Sequence, residues 1–150
     1  MIHVDTDIQL RDSFSQFEID TERDIELTFS ADAGEYEVFV RIKNCGKLRI
    51  RTFAYADAQV KYLFWNDNEH MFEIDETHEV LRNANVEVAH CEVNPYPVKR
   101  NTYMALREPG AYGHLVSSSL VASDKNYTQN VVNFAQRTLA NIDNFVVVLK

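Results

Sequence analysis

This 150-residue sequence is poor in the residues that form disulfides, tight turns and membrane spans. It has two cysteines, four glycines and three prolines. No stretch approaches the roughly 18 apolar residues that a bilayer-spanning helix needs. Two cysteines do not make a disulfide framework, so we expect free thiols and a reducing, cytoplasmic location. The first ten residues contain neither a basic segment nor a long apolar run, which argues against a signal peptide.

The sequence also lacks an excess of basic residues. With 23 acidic and 15 basic side chains its net charge is −8, which repels a nucleic-acid backbone rather than attracting it. An anionic membrane surface is disfavoured for the same reason. Hydrophobic residues make up 45% of the chain, and a chain of this length buries roughly 70% of its unfolded surface. We predict one domain, residues 1–150, in which residues 1–20 could form a peripheral arm.

Apolar and polar residues alternate through most of the chain with a period of two. In YEVFVRIK, residues 36–43, the even-numbered residues Tyr36, Val38 and Val40 share one face. Such alternation predicts β-strands, and a series of short strands predicts an all-β sandwich, barrel or solenoid. The runs are YEVFVRIK, LRIRTFAY, AQVKYLFW, MFEI, HEVL, VEVAHCEV, TYMAL, HLVSSSLV, YTQNVVNF and FVVVL.

Two segments are also compatible with a helix. Phe14 and Phe17 stand three residues apart within residues 12–17, which would suit one short N-terminal helix. Residues 131–142, VVNFAQRTLANI, place several apolar side chains near one helical face. The first half of this second segment also alternates, and we prefer the strand interpretation there.

The turn residues favour a right-handed parallel β-helix, or β-solenoid, over a β-sandwich. Asn-Gly, Asp-Gly and Gly-Gly are absent from the sequence, whereas antiparallel hairpins usually need such pairs. Twelve asparagines are present, many of them between strand runs. Asparagine tolerates left-handed backbone and caps its own turn, which suits the corners between stacked coils. The β-sandwich remains the alternative fold.

The run His90-Cys91-Glu92 raises the question of a metal or cluster site, because these three side chains are metal ligands. On a regular strand neighbouring side chains point to opposite faces, so His90 and Cys91 could not hold one ion. Apolar residues are even-numbered before Ala89 and odd-numbered from Ala89 onwards. This change of phase predicts a bulge or bend between residues 88 and 89.

Two interpretations of this run stay open. In the simpler one, Cys91 is a small buried hydrophobic residue and His90 is an exposed neighbour. In the other, Cys91 or His90 meets His114 or His70 from an adjacent coil. C-x-x-C, H-x-H and H-E-x-x-H are all absent from the sequence, so no zinc site of standard spacing is predicted. The residues to test for metal are Cys91, His90 and Cys45.

No other motif predicts catalysis. The sequence has no G-x-S-x-G, Walker or G-x-G-x-x-G pattern. His70 and His78 flank MFEIDET, which we interpret as an acidic turn, and we expect both histidines to be solvated. Ser117-Ser118-Ser119 would supply one or two inward hydroxyls that bond a neighbouring strand. The acidic groups at 20–24 and 67–69 lack the calcium-loop pattern. We therefore expect no enzyme activity and no stably bound cofactor.

Residues 105–148 resemble the core repeat of the SufB/SufD family of iron–sulfur cluster assembly proteins. The run is ALREPGAYGHLVSSSLVASDKNYTQNVVNFAQRTLANIDNFVVV. Pro109-Gly110-Ala111 stands at the Gly-Ala step of that repeat, and residues 115–121 form the following alternating strand. Residues 127–133 stand near the polar segment, and residues 141–148 at the next turn and strand. The resemblance covers residues 105–150 in detail and residues 36–150 in pattern.

The resemblance implies a parallel β-helix that acts as a non-catalytic scaffold and carries an iron–sulfur cluster transiently. The implied partners are an ABC-type ATPase subunit and a family paralogue. Asn133 stands where the family often has histidine, and the family's C-terminal helical region has no counterpart in these 150 residues. Thiolates suit iron–sulfur chemistry, so we expect Cys91, ahead of Cys45 or His90, to contact a cluster.

A second function hypothesis is an all-β binding module that recognises a carbohydrate or a protein partner. Trp65, Tyr55 and Tyr62 would form its aromatic platform. Independently of either hypothesis, the last residues, FVVVLK, are strand-like to the end of the sequence and would leave an open sheet edge. We expect self-association through this edge, or coverage of it by a further C-terminal piece.

Overall fold

The computed structural model describes residues 3–121 and 124–148, and these ranges contain twelve β-strands and no helix. The same ranges therefore hold no helix of the length and hydropathy needed to cross a membrane. The strands are β1 (His3–Leu10), β2 (Phe14–Asp20), β3 (Asp24–Ala31), β4 (Gly34–Asn44), β5 (Lys47–Ala54), β6 (Ala58–Asn66), β7 (Phe72–Val80), β8 (Asn85–Glu92), β9 (Val98–Leu106), β10 (Tyr112–Val121), β11 (Lys125–Asn133) and β12 (Leu139–Val148).

The strands alternate between two six-stranded sheets, which we call the odd sheet and the even sheet. The odd sheet has the order β1-β3-β5-β7-β9-β11 and the even sheet the order β2-β4-β6-β8-β10-β12. All ten pairings in the two sheets are parallel, so the chain winds as a coil with two strands in each turn. One turn takes from 21 residues (His3 to Asp24) to 27 residues (Val98 to Lys125). The predicted parallel β-helix is confirmed, and the sandwich alternative is wrong.

Alternation predicted strands from β4 onwards, but β1, β2 and β3 are missing from the predicted runs although they pair within the two sheets. Two further assignments are wrong. MFEI and HEVL belong to one strand, β7, in which buried and half-buried residues alternate without a break, so the acidic turn predicted there is wrong. The short helix predicted at residues 12–17 is also wrong, because Phe14–Asp20 is strand β2. The strand interpretation of the first half of residues 131–142 is confirmed, since β11 continues to Asn133.

The corners that lead from the odd sheet to the even sheet share one backbone feature. Asp57, Asn83, Gly110 and Arg137 lie in four successive corners, and each has a positive φ between 54° and 81°. Backbone hydrogen bonds join these corners along the coil; the N–H of Gly110, for example, donates to the carbonyl of Arg137 at 3.0 Å. Asp, Asn and Gly tolerate this left-handed backbone, which explains how the chain turns with few glycines.

Asparagine also builds the corners that lead from the even sheet to the odd sheet. The side-chain oxygen of Asn66 accepts a hydrogen bond from the backbone N–H of Asn68 at 3.1 Å. One turn later, the side-chain oxygen of Asn94 accepts one from the N–H of Tyr96 at 2.5 Å. These side chains imitate a backbone turn, so the asparagine-rich corners expected from the sequence are present on this side.

The core lies between the two sheets and changes character along the coil axis. Aromatic rings of Phe17, Phe29, Tyr62 and Phe64 contact one another in series in its first part, with centroids 5.4–5.5 Å apart. From β7 onwards charged side chains also point inwards. The buried polar and charged residues from that point are Glu76, His78, His90, Glu92, Asn94, Arg100, Thr102, Ser117 and Ser119.

Candidate functional site

His90 and Cys91 point to opposite faces of β8, as strand geometry requires. Burial alternates without interruption from Asn85 to Glu92, and the register of β8 with β6 and β10 is continuous. The bulge predicted at residues 88–89 is therefore wrong. His90 lies inside the coil and is 6% exposed, whereas Cys91 lies on the outer face and is half-buried. The simpler interpretation of this run, with Cys91 buried and His90 exposed, is the reverse of the structure.

The structure does not bring the candidate metal ligands together. Cys45 is fully buried in the corner after β4, and the sheet register places serine, not histidine, beside Cys91. His114 lies on the outer face of β10 with its Nε2 2.8 Å from Asp143 Oδ2, and His70 lies in the exposed corner after β6. Across residues 3–121 and 124–148, no group of three or more His, Cys, Asp or Glu side chains is arranged to hold a metal ion.

The surroundings of both cysteines favour the protonated thiol. Burial, reinforced by the Asp24 carboxylate, raises the pKa of Cys45 to about 11. Burial and then the charge of Glu92 raise the pKa of Cys91. Because the thiolate is the form that binds metal, the fully buried Cys45 is a poor ligand, and Cys91 is the more accessible of the two thiols.

A buried cluster centred on Glu76 concentrates polar chemistry inside the coil. Oε2 of Glu76 is 2.7 Å from Nε2 of His90 and accepts a hydrogen bond from Oγ1 of Thr102 at 2.9 Å. Oε1 of the same carboxylate is 3.2 Å from Nε2 of His78. The three partners come from β7, β8 and β9, so this one carboxylate joins the odd sheet to the even sheet across the core.

The cluster continues from His78 towards the apolar part of the core. Nδ1 of His78 is 2.8 Å from Oγ1 of Thr52, and that hydroxyl is 2.8 Å from the hydroxyl of Tyr62. His78 is fully buried, so its predicted solvated position is wrong. Burial raises the pKa of Tyr62 above its usual range, which keeps this phenol protonated as a hydrogen-bond partner for Thr52.

The charges in the Glu76 cluster follow from its contacts. Burial alone would raise the pKa of Glu76, but His90 and His78 together hold it well below the usual range. Burial lowers the pKa of His90, and the positive charge of Arg100 lowers it further. At neutral pH we therefore describe Glu76 as an ionised carboxylate that accepts a hydrogen bond from a neutral His90.

A second buried charged group lies next to this cluster, towards the C-terminal end of the coil. Nη1 of Arg100 is 2.8 Å from Oε1 of Glu92, and the two side chains are 0% and 1% exposed. Nη2 of Arg100 donates to Ser117 Oγ at 2.7 Å, and Asn66 Nδ2 donates to the other oxygen of Glu92 at 2.6 Å. The ring of Tyr127 covers the guanidinium, with its centroid 3.9 Å from Cζ.

The structure confirms the predicted inward serines but not the predicted aromatic platform. Ser117 and Ser119 point inwards as predicted, but their partners are side chains of the facing odd sheet rather than of a neighbouring strand. The aromatic platform is wrong, because Tyr62 is buried in the core while Trp65, three residues later on the same strand, is on the outer face.

Sequence reasoning missed Glu76, His78 and Arg100 as buried residues. A signal for them was available in the phase of alternation. In FEIDETHEV, residues 72–80, every even-numbered residue is inward, and Glu76 and His78 simply continue the phase that Phe72 and Ile74 begin. A charged side chain in an inward position is unusual, so alternation alone does not assign Glu76 and His78 to the core.

The C-terminal end of the coil is the other distinctive surface. β11 and β12 are the last strands of their sheets, and several large apolar side chains of this final turn are exposed. They are Phe134 (50%), Leu139 (59%), Ile142 (44%), Phe145 (61%) and Val146 (56%). The structure therefore combines a buried ion pair in the core with exposed apolar side chains at the C-terminal end of the coil.

Comparisons of the chain with protein-family models, with curated proteins and with solved structures gave no match.

Proposed function

We propose that this chain is a non-catalytic scaffold that acts through protein–protein contacts at the C-terminal end of its coil. The observation that supports this proposal is the exposure of apolar side chains on β12 and in the corner before it. Exposed apolar surface at a sheet edge is costly in a soluble protein and marks a site of association. A strand added there would pair with backbone groups and cover these side chains.

The two ends of the coil differ in a way that favours the C-terminal one. The first strands carry Asp5, Asp7, Glu18 and Asp20, and acidic side chains on an edge strand discourage pairing. In β12 the only charged residue is Asp143, whose carboxylate already faces His114 on β10. Two C-terminal ends could therefore approach without repulsion between β12 strands, and the occupant that we propose is a second copy of this chain.

Self-association should be lost when a charge is placed on the exposed edge. We expect the unmodified chain to sediment as a dimer and Val146→Lys to sediment as a monomer, because a lysine on an edge strand opposes strand pairing. Leu63→Lys is the matched control, since it adds the same charge at an exposed apolar position of β6, away from this end. It should sediment like the unmodified chain, and a monomer in all three samples would contradict the proposal.

Iron–sulfur assembly, with an ATPase subunit and a paralogue as partners, stays a prediction from the resemblance. It is tested by anaerobic reconstitution with iron and sulfide. A transiently bound cluster should give a visible chromophore that Cys91→Ser largely loses, because Cys91 is the accessible thiol. Cys45→Ser should keep the chromophore, since Cys45 is fully buried. A scaffold without a cluster role would show no chromophore, or one that Cys91→Ser does not change.

A further inference from the structure

A shallow groove lies on the corners that lead from the odd sheet to the even sheet. It has a volume of about 260 Å³ and is lined by Arg82, Asn83, Pro109, Gly110 and Arg137. The two arginines belong to the corners on either side of Pro109-Gly110. Because adjacent parallel strands lie about 4.8 Å apart, those two corners are separated by about 9–10 Å. The groove is therefore bordered by two cationic side chains and has no cationic side chain at its centre.

The middle corner is shaped to keep the groove open. Gly110 has a φ of +81°, and a Cβ there would lie 2.1 Å from the side-chain oxygen of Asn83. Glycine is therefore required at this position for both conformational and steric reasons. Pro109-Gly110 presents no long side chain, so the arginines on either side have room to reach a shared ligand.

Arg137 is an unusual residue for its backbone conformation. The other corner residues with φ between 54° and 81° are Asp57, Asn83 and Gly110, which are the types that tolerate left-handed backbone. A residue with a Cβ and a long side chain is strained in this region. Backbone strain of this kind is found at functional sites, where a particular side chain is needed despite its cost.

The two guanidinium groups are available to a ligand. Neither Arg82 nor Arg137 forms a salt bridge or a side-chain hydrogen bond with another residue in the described ranges. Arg107, close by in sequence, is occupied by Glu79 at 2.6 Å. The carboxylate of Glu108 is engaged by the backbone N–H of Arg82 at 3.3 Å and lies at the rim of the groove.

We propose that this groove binds a phosphate-type oxyanion between Arg82 and Arg137. Guanidinium groups match such anions because they offer paired N–H donors in a planar fork. Two of them on one groove in a chain of net charge −8 select for a compact dianion rather than for an extended polyanion, which the rest of the surface repels. The source is either a small phosphorylated molecule or a phosphorylated side chain of a protein.

Titration of the intact chain with inorganic phosphate, followed by amide NMR shifts, tests the site. We expect saturable shifts at residues 82–84, 110–111 and 136–138, and we expect Arg82→Gln and Arg137→Asn each to weaken binding about tenfold, or about 1.4 kcal/mol. Arg51→Gln, an exposed arginine on β5, is the control and should bind like the unmodified chain. Arg137→Asn should also raise the melting temperature, because asparagine suits the left-handed backbone, so its loss of binding cannot be attributed to unfolding.

Acetate and a phosphoserine peptide complete the experiment. The proposal predicts that acetate, a monoanion, gives no saturable shifts at the same residues. A phosphoserine peptide that binds at least tenfold more tightly than inorganic phosphate would identify the source as a modified protein. A smaller difference would show that the site recognises only the phosphate group, which favours a small phosphorylated molecule. The proposal is overturned if phosphate gives no saturable shifts, or if Arg82→Gln and Arg137→Asn bind it as well as the unmodified chain.

Discussion

Replacing Arg100 with methionine should lower the free energy of unfolding by about 3–5 kcal/mol. The guanidinium and the carboxylate of Glu92 are both fully buried, so the substitution would leave a carboxylate in the core without its cation. It also removes the hydrogen bond to Ser117 and the stacking contact with Tyr127. Urea unfolding followed by circular dichroism measures the change, with an unaltered m value as the check that the transition stays two-state.

An exposed arginine in the corner directly after β9 provides the matched control. Arg107 pairs with Glu79 and covers the ring of Phe134, so it makes the same kinds of contact as Arg100 but in water. Exposed ion pairs contribute little to stability, and Arg107→Met should therefore have a much smaller effect. If Arg100→Met and Arg107→Met destabilise the protein equally, the Arg100 site is hydrated and our description of the core is wrong.

A double substitution at Arg100 and Glu92 removes both charges. It distinguishes the effect of losing the ion pair from the cost of a buried carboxylate without its cation. Replacing a buried ion pair with apolar residues is often neutral or stabilising, whereas removing one partner is strongly destabilising. We therefore expect Arg100→Met combined with Glu92→Met to be more stable than Arg100→Met alone, despite the second substitution. A double variant that is less stable than either single variant would contradict this account.

The fold could be predicted because its main determinants are local and repeat in every turn. Alternation gave the strands from β4 onwards, and the scarcity of hairpin turns with an abundance of asparagine gave their parallel stacking. The first three strands, β1 to β3, were not recognised. The corners show why this worked, since Asp57 and Asn83 supply the left-handed backbone that glycine provides at residue 110. Arg137 could not be recognised in the same role, because arginine carries no preference for that conformation.

The interior could not be predicted because charged residues in a core resemble those on a surface. Two tendencies coincided on β8: the inward residues His90 and Glu92 are polar, while the outward residues Ala89 and Cys91 are small and apolar. Hydrophobicity alone therefore assigns Ala89 and Cys91 to the core and His90 and Glu92 to the surface, which is the wrong phase. Only the partners from other turns, such as Glu76 for His90 and Arg100 for Glu92, make the inward phase favourable, and those partners are 14 and 8 residues away.

Replacing Glu76 with glutamine should destabilise the protein by about 3 kcal/mol at pH 7, an effect comparable to that of Arg100→Met. The side chain keeps its shape but loses its charge, and one carboxylate oxygen becomes an NH₂ donor. In the unmodified protein three donors converge on the Glu76 carboxylate, from His78, His90 and Thr102. With glutamine at least one of them would face another donor inside a dry core, which is the costly situation for a buried polar group.

The same cluster should make stability depend on pH in two stages. Folding lowers the pKa of His90, so below the ordinary histidine value of about 6.5 the unfolded chain takes up this proton first. The free energy of unfolding should then decrease as the pH decreases, by at most about 1.4 kcal/mol per pH unit for this one group. Folding also lowers the pKa of Glu76, so its contribution is complete above a pH of about 4.3 and is lost as the pH decreases further.

Substitutions in the Glu76 cluster show which residue causes each of the two declines in stability. Measured by urea unfolding between pH 7.5 and pH 3, His90→Gln should remove the first decline, and Glu76→Gln should remove the second while lowering stability throughout. His114→Gln is the control for the first stage, because His114 lies on the outer face beside Asp143 and its loss should leave the profile of the core unchanged. A first decline that persists in His90→Gln and disappears in His114→Gln would mean that an exposed histidine and not the buried cluster controls the response to acid. In that case the polar core would only hold the two sheets together and would not sense pH.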